Sequence, residues 1–151
     1  MGSEVLESIT DDLLSIPPLI FRGVRRKLLK TALANSEVDI TPLQFEIMRL
    51  LDEVGTLHIA EIGEKLQIAR PQMTHLIDKL EDLGMVERQM GTADRRTINI
   101  VLTGQGKNTL EEHDTRVRSA IREALSCLTD QELEEVSDSL RKTRDVLSKL
   151  Q

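Results

Sequence analysis

The chain has 151 residues, 39% of them hydrophobic and 30% charged, with a net charge of −6; this fits one globular domain able to bury a core and excludes a disordered segment. Two Phe are its whole aromatic complement, which excludes aromatic stacking platforms for single-stranded nucleic acid, and the lone Cys127 excludes an intramolecular disulfide and a cysteine-based zinc finger. No apolar run approaches the ~18 residues of a membrane span, and a reducing, cytoplasmic setting is expected.

In chain order, Val5, Leu6, Ile9 and Leu13 are spaced for one apolar helix face. Pro17-Pro18 predicts a break or kink near Ile16. A second helix is then expected from Leu19 to about Ala34, with Ile20, Val24 and Leu28 inward and Arg22, Arg25, Arg26, Lys27 and Lys30 outward.

Thr41-Pro42-Leu43-Gln44 is a strong start signal: an N-cap Thr, a Pro in the first turn, and a Gln three residues after the cap. Phe45, Met48, Leu50 and Leu51 are expected inward, and Gly55 ends the helix. A shorter helix is predicted over 58–66, with Ile59, Ile62 and Leu66 inward, followed by a tight turn at Gln67-Ile68-Ala69. Pro71 opens the next helix, with Arg70 expected at the N-cap and Met73, Leu76, Ile77, Leu80 and Leu83 facing the core. Gly84 stands where a left-handed C-terminal cap belongs.

Beyond Gly84 the period changes to alternation. Strands are predicted over 85–89 and 96–102, the second with Ile98, Ile100 and Leu102 on one side, around a polar tip at 90–95. Two short helices followed by a hairpin make a winged helix-turn-helix, so the fold class is mainly α with one small β-hairpin wing. Thr103 can cap a helix to about Cys127, striped by Leu110, Val117, Ile121 and Ala124; Cys127 is expected to be packed. Thr129-Asp130-Gln131-Glu132 is a capping box for a last helix. There Leu133, Val136, Leu140, Thr143, Leu147 and Leu150 alternate steps of three and four, as along a helix–helix seam.

The chain resembles the multiple antibiotic resistance regulator (MarR) family over nearly its whole length. The resemblance is carried by Thr41-Pro42-x-Gln44, Leu76-x-Asp78-Lys79-Leu80-Glu81-x-x-Gly84-Met85-Val86, Asp94-Arg95-Arg96, and Leu102-Thr103-x-x-Gly106, in that order with short spacers. It implies N- and C-terminal dimerisation helices (1–40 and 103–151) around a winged DNA-binding module (41–102), within one compact chain. It further implies a homodimer on a pseudo-palindromic double-stranded operator, usually a repressor released by a small-molecule effector or an oxidant. An effector pocket is implied around Arg22, Met48 and His113, with no ligand named.

A recognition helix presents its N-terminal turns to base edges in the major groove. With the apolar residues inward, Arg70, Pro71, Gln72, Thr74, His75 and Lys79 are left for that role. Gln72 can pair bidentately with adenine and Arg70 with guanine, whereas Lys79 suits phosphate. Histidine as a residue type changes charge between about pH 5 and 8, so His75 reads either as a pH-dependent phosphate contact or as a neutral surface residue. In the wing, Asp94 and Arg96 resemble the family's Asp-x-Arg pair, which either aims the arginine at the minor groove or pins the hairpin. Arg88 and Arg95 are expected on phosphates. Residues 41–102 carry ten acids against seven bases, so the charge that favours DNA is local. The net charge also leaves open a helical interaction module that has lost DNA binding.

His58, His75 and His113 fall in different predicted elements without metal-ligand spacing, and no phosphate loop, nucleophile elbow or Cys-His arrangement occurs. No metal, cofactor or catalytic constellation is expected. The first helices also lack the cysteine of the family's peroxide-sensing branch, and His113 lacks a second histidine one turn away, unlike zinc-sensing members.

Overall fold

The computed structural model describes residues 2–32, 39–91 and 96–150, and of 27–32 the backbone alone. In chain order it contains α1 (Gly2–Ala32), α2 (Pro42–Val54), β1 (Leu57–His58), α3 (Ile59–Leu66), α4 (Arg70–Asp82), β2 (Val86–Met90), β3 (Ile98–Leu102), α5 (Gly104–Leu125) and α6 (Asp130–Leu147), with a closing 3₁₀ turn at Ser148–Leu150. The chain divides into two compact units, Met1–Asn35 with Arg116–Gln151, and Ser36–Thr115. Among the described residues no helix is long and apolar enough to cross a membrane.

The Ser36–Thr115 unit holds the core. Ile47, Met48 and Leu51 of α2, Ile62 of α3, and Met73, Leu76, Ile77 and Leu80 of α4 close on Leu57, Val86, Ile100 and Leu110. In α2 the buried set is Gln44, Ile47, Met48 and Leu51, one helical stripe. Ile47 replaces the expected Phe45 and Leu50, which are only half-buried. Gln44 obscured that stripe in the sequence because it is polar. Its side chain accepts the Thr41 N–H at 2.9 Å, completing the capping box, while its Nε2 donates to the Leu76 carbonyl at 3.3 Å. One residue thus caps α2 and ties it to α4.

The sheet has three strands rather than the expected two, in the order β1-β3-β2, both pairs antiparallel. Strand β1 pairs Leu57 with Ile100 and is too short to show alternation in sequence. The second and third strands begin at Val86 and Ile98, slightly later than predicted. Ile98, expected inward, is 44% exposed, because its partner Met90 already lies beyond the core toward the tip. Two fixed points join α4, the sheet and α5. At the end of α4, Gly84 has φ +77; its N–H donates to the Glu81 carbonyl, and the Met85 N–H to that of Leu80, the double bond of a Schellman cap. Thr103 Oγ1 then donates to the Gly84 carbonyl at 2.6 Å and accepts the Gly106 N–H at 3.0 Å. A Cβ at Gly106 would lie 2.1 Å from the Met85 carbonyl oxygen, so only glycine lets α5 start there.

In the other unit, α1 continues through Pro17 and Pro18, so the break expected near Ile16 does not occur. Proline's fixed φ is compatible with a helix; what it removes is the two N–H donors that would serve the carbonyls of Leu13 and Leu14. Residues 2–22 are exposed, so those carbonyls can meet solvent. The expected inward Leu28 and outward Lys27 and Lys30 have side chains outside the described set. Helix α6 starts on the predicted box, with Thr129 Oγ1 accepting the Glu132 N–H and the Glu132 carboxylate accepting the Thr129 N–H. Cys127, expected to pack, is exposed, because α5 ends at Leu125 and the cysteine sits in the turn beyond its stripe.

Candidate nucleic-acid interface

Helices α3 and α4 are joined by a turn in which Gln67 takes a left-handed conformation (φ 54) and the Ile68 N–H donates to the Gly63 carbonyl at 2.8 Å. A Cβ at Gly63 would stand 3.1 Å from the Ile68 carbonyl oxygen, so the turn closes tightly against α3. The N-cap of α4 is Ala69, not Arg70: Ala69 is extended (φ −61, ψ 144), offers no side-chain acceptor, and Arg70 is the first helical residue. Pro71 therefore stands at the second helical position, where its missing N–H costs nothing because that donor also lacks an intrahelical partner.

Helix α4 is divided sharply between two sides. Met73, Leu76, Ile77 and Leu80 are buried, while Arg70, Pro71, Gln72, Thr74 and His75 are exposed. The Thr74 hydroxyl donates to the Arg70 carbonyl at 3.2 Å. Lys79 is half-buried and its Nζ meets Asp39 at 3.1 Å. The acids Asp78, Glu81 and Asp82 lie in the C-terminal half of the helix, whereas its first half carries Arg70 and His75 and no acid. The positive end of the helix dipole adds to that asymmetry.

Arg88, expected on phosphate, lies on β2 with its guanidinium between two carboxylates of α4. Nη1 donates to Glu81 at 2.7 Å and Nη2 donates to Asp78. The Arg88 backbone N–H also donates to Glu81, at 3.1 Å. Burial works against the charged guanidinium, but the bonds to Asp78 and Glu81 and the charge of both acids outweigh it, holding the Arg88 pKa above its ordinary value. Of the wing residues, Arg96 is exposed; Asp94 and Arg95 lie outside the described residues, so the expected Asp94–Arg96 pair does too.

The residues implied around an effector are differently placed. Met48 is fully buried in the core, and His113 of α5 stacks on Phe45 of α2 with ring centroids 3.6 Å apart and planes 11° from parallel. Arg22 belongs to the other unit. Among the described residues, no group of three or more His, Cys, Asp or Glu side chains gathers as a metal site.

A short helix, a tight turn, and a second helix with a buried back and a polar, N-terminally cationic front, followed by a hairpin, form a surface suited to a groove in duplex DNA. Comparison with known proteins agrees. A family model described as MarR family matches residues 40–98. The HTH-type transcriptional regulator YsmB of Bacillus subtilis is 31% identical over 144 residues, 94% of either chain. The HTH-type transcriptional repressor MdtR of the same organism is 29% identical over 124 residues, 82% of this chain and 80% of its own. A solved structure of a MarR family protein from Bacillus stearothermophilus superposes with a TM-score of 0.72 at 24% identity, covering 98% of this chain and 99% of that one.

Proposed function

The chain belongs to the MarR family of DNA-binding, winged helix-turn-helix transcriptional regulators, and from that premise we propose that it is a homodimeric repressor of a pseudo-palindromic operator, released by a small-molecule effector. The observation that carries the reading is that Arg70, Gln72, Thr74 and His75 are exposed in the first turns of a helix whose other side is buried in the core. Within it, Arg70 and Gln72 read base edges, and the Thr74 methyl offers an apolar contact of the kind that suits thymine. Pro71 and His75 border the groove, Lys79 lies further along toward phosphate, and the wing, with Asp94, Arg95 and Arg96, reaches the backbone and minor groove.

The homodimer is supported by apolar side chains that a lone subunit leaves in water. Leu6, Leu14, Leu19 and Phe21 of α1 are 60–71% exposed, and Leu140 of α6 is 55% exposed. Apolar exposure on this scale marks an association surface. Repression is supported by similarity to MdtR, which is named a repressor; release by an effector follows the family resemblance. The relatives named above are bacterial, and a bacterial repressor works in the cytoplasm, where its DNA lies.

Selection of bound duplexes from a random pool tests the proposal. Two inverted half-sites with centres about 10 base pairs apart, or a multiple of that, are expected from a twofold dimer. Binding should weaken steeply with salt as counterions are released. Enrichment of a single unrepeated site, or of nothing, contradicts it.

A further inference from the structure

We propose that Arg88 is a positioning residue for DNA binding: by bridging Asp78 and Glu81 it fixes the orientation of α4 against the β2–β3 hairpin, and it acts through α4 rather than by touching phosphate. The proposal rests on the reading of α4 as the recognition helix. Its basis is a closed set of bonds. Asp78 and Glu81 stand three residues apart on α4, hence on one face, and the two terminal nitrogens of one guanidinium reach one carboxylate each. Glu81 is held a second time by the backbone N–H of Arg88.

That N–H belongs to an edge strand, since among the described residues β2 pairs only with β3. A recognition-helix carboxylate therefore occupies a donor that would otherwise lie open on the sheet edge. Only Leu83, Gly84 and Met85 separate α4 from β2, and Gly84 is the left-handed point at which the chain reverses. The Schellman bonds fix where α4 ends; the guanidinium bridge, one turn further back, fixes how it is rotated about its axis. Rotation decides which side chains of Arg70, Gln72 and Thr74 meet the bases.

A phosphate contact would require the opposite arrangement. The Arg88 side chain is 25% exposed, and both of its terminal nitrogens are already engaged by carboxylates. Drawing it toward a phosphate would leave the charges of Asp78 and Glu81 without this cation on a helix that must approach a polyanion. Spanning two carboxylates needs the planar fork of arginine; a lysine ammonium keeps the charge but is a single point.

The full-length protein is compared with Arg88→Gln and Arg88→Lys on a duplex selected by the wild type from a random pool, and on a scrambled duplex of the same length. Circular dichroism at the assay temperature confirms that each variant is folded, and Arg88→Lys serves if Arg88→Gln is not. Both variants should lose about tenfold or more in affinity for the selected duplex, the scale of one lost bidentate base contact. In Arg88→Lys, which keeps the charge, affinity for the scrambled duplex and the salt slope should stay close to wild type. Equal weakening on both duplexes, with the salt slope reduced by about 0.9 per subunit in Arg88→Gln and preserved in Arg88→Lys, identifies a phosphate contact and overturns the proposal. Unchanged affinity in a folded variant overturns it as well, leaving Arg88 a purely stabilising role. Failure of the wild type to select any duplex would instead defeat the underlying reading of α4.

Discussion

Ala69 leaves the first turn of α4 without a side-chain acceptor, although the two other helix starts with clear boxes, at Thr41 and Thr129, are fully capped. Serine at position 69 would supply the missing oxygen, and an N-cap of this kind is worth about 1 kcal/mol. Ala69→Ser should therefore raise the unfolding free energy by that amount, whereas Arg70→Ser, one position inside the helix, should not. A gain in the second variant and none in the first would return the cap to residue 70. The boxes were legible in the sequence because they depend on residues three apart. The start of α4 was read one residue late because Pro71 is tolerated at either of the first two helical positions. The partners of Arg88 were not legible at all, since a seven-residue separation says nothing of the reversal at Gly84 that brings Glu81 to it.

Periodicity places most of the elements and fails where an element is short or doubly constrained. Strand β1 has two residues, and its role in covering Ile100 follows only from pairing. Helix α1 shows that two prolines need not end a helix. Helix α6 forms as predicted, but its seam residues Leu133, Val136, Leu140 and Leu147 are between 36 and 55% exposed in the single chain, and Leu150 falls in the turn beyond it. If that seam meets a second subunit, a charge within it must break the assembly. Leu140→Glu should run at the mass of one subunit in sedimentation and lose affinity for a two-half-site duplex. Its Ser36–Thr115 unit should stay folded, because Leu140 contributes nothing to that core. A variant that remains dimeric would remove α6 from the interface.

At the scale of the molecule, the winged unit and the helical unit answer different questions. The first was readable almost entirely from sequence, because its apolar residues close on one another within a single chain. The second was readable as helices but not as a packed body, because its apolar faces stay exposed in the single chain. Function rests on the first: a helix anchored from behind by Met73, Leu76, Ile77 and Leu80, presenting Arg70, Gln72 and Thr74. The most direct measurement is to repeat the duplex selection with Gln72→Ala beside the wild type. The variant should lose preference at one base pair in each half-site, symmetrically, at a cost of about 1–3 kcal/mol in discrimination, with the remaining positions unchanged. Identical base preferences at every position in the two selections would contradict the assignment of this face of α4 to the bases.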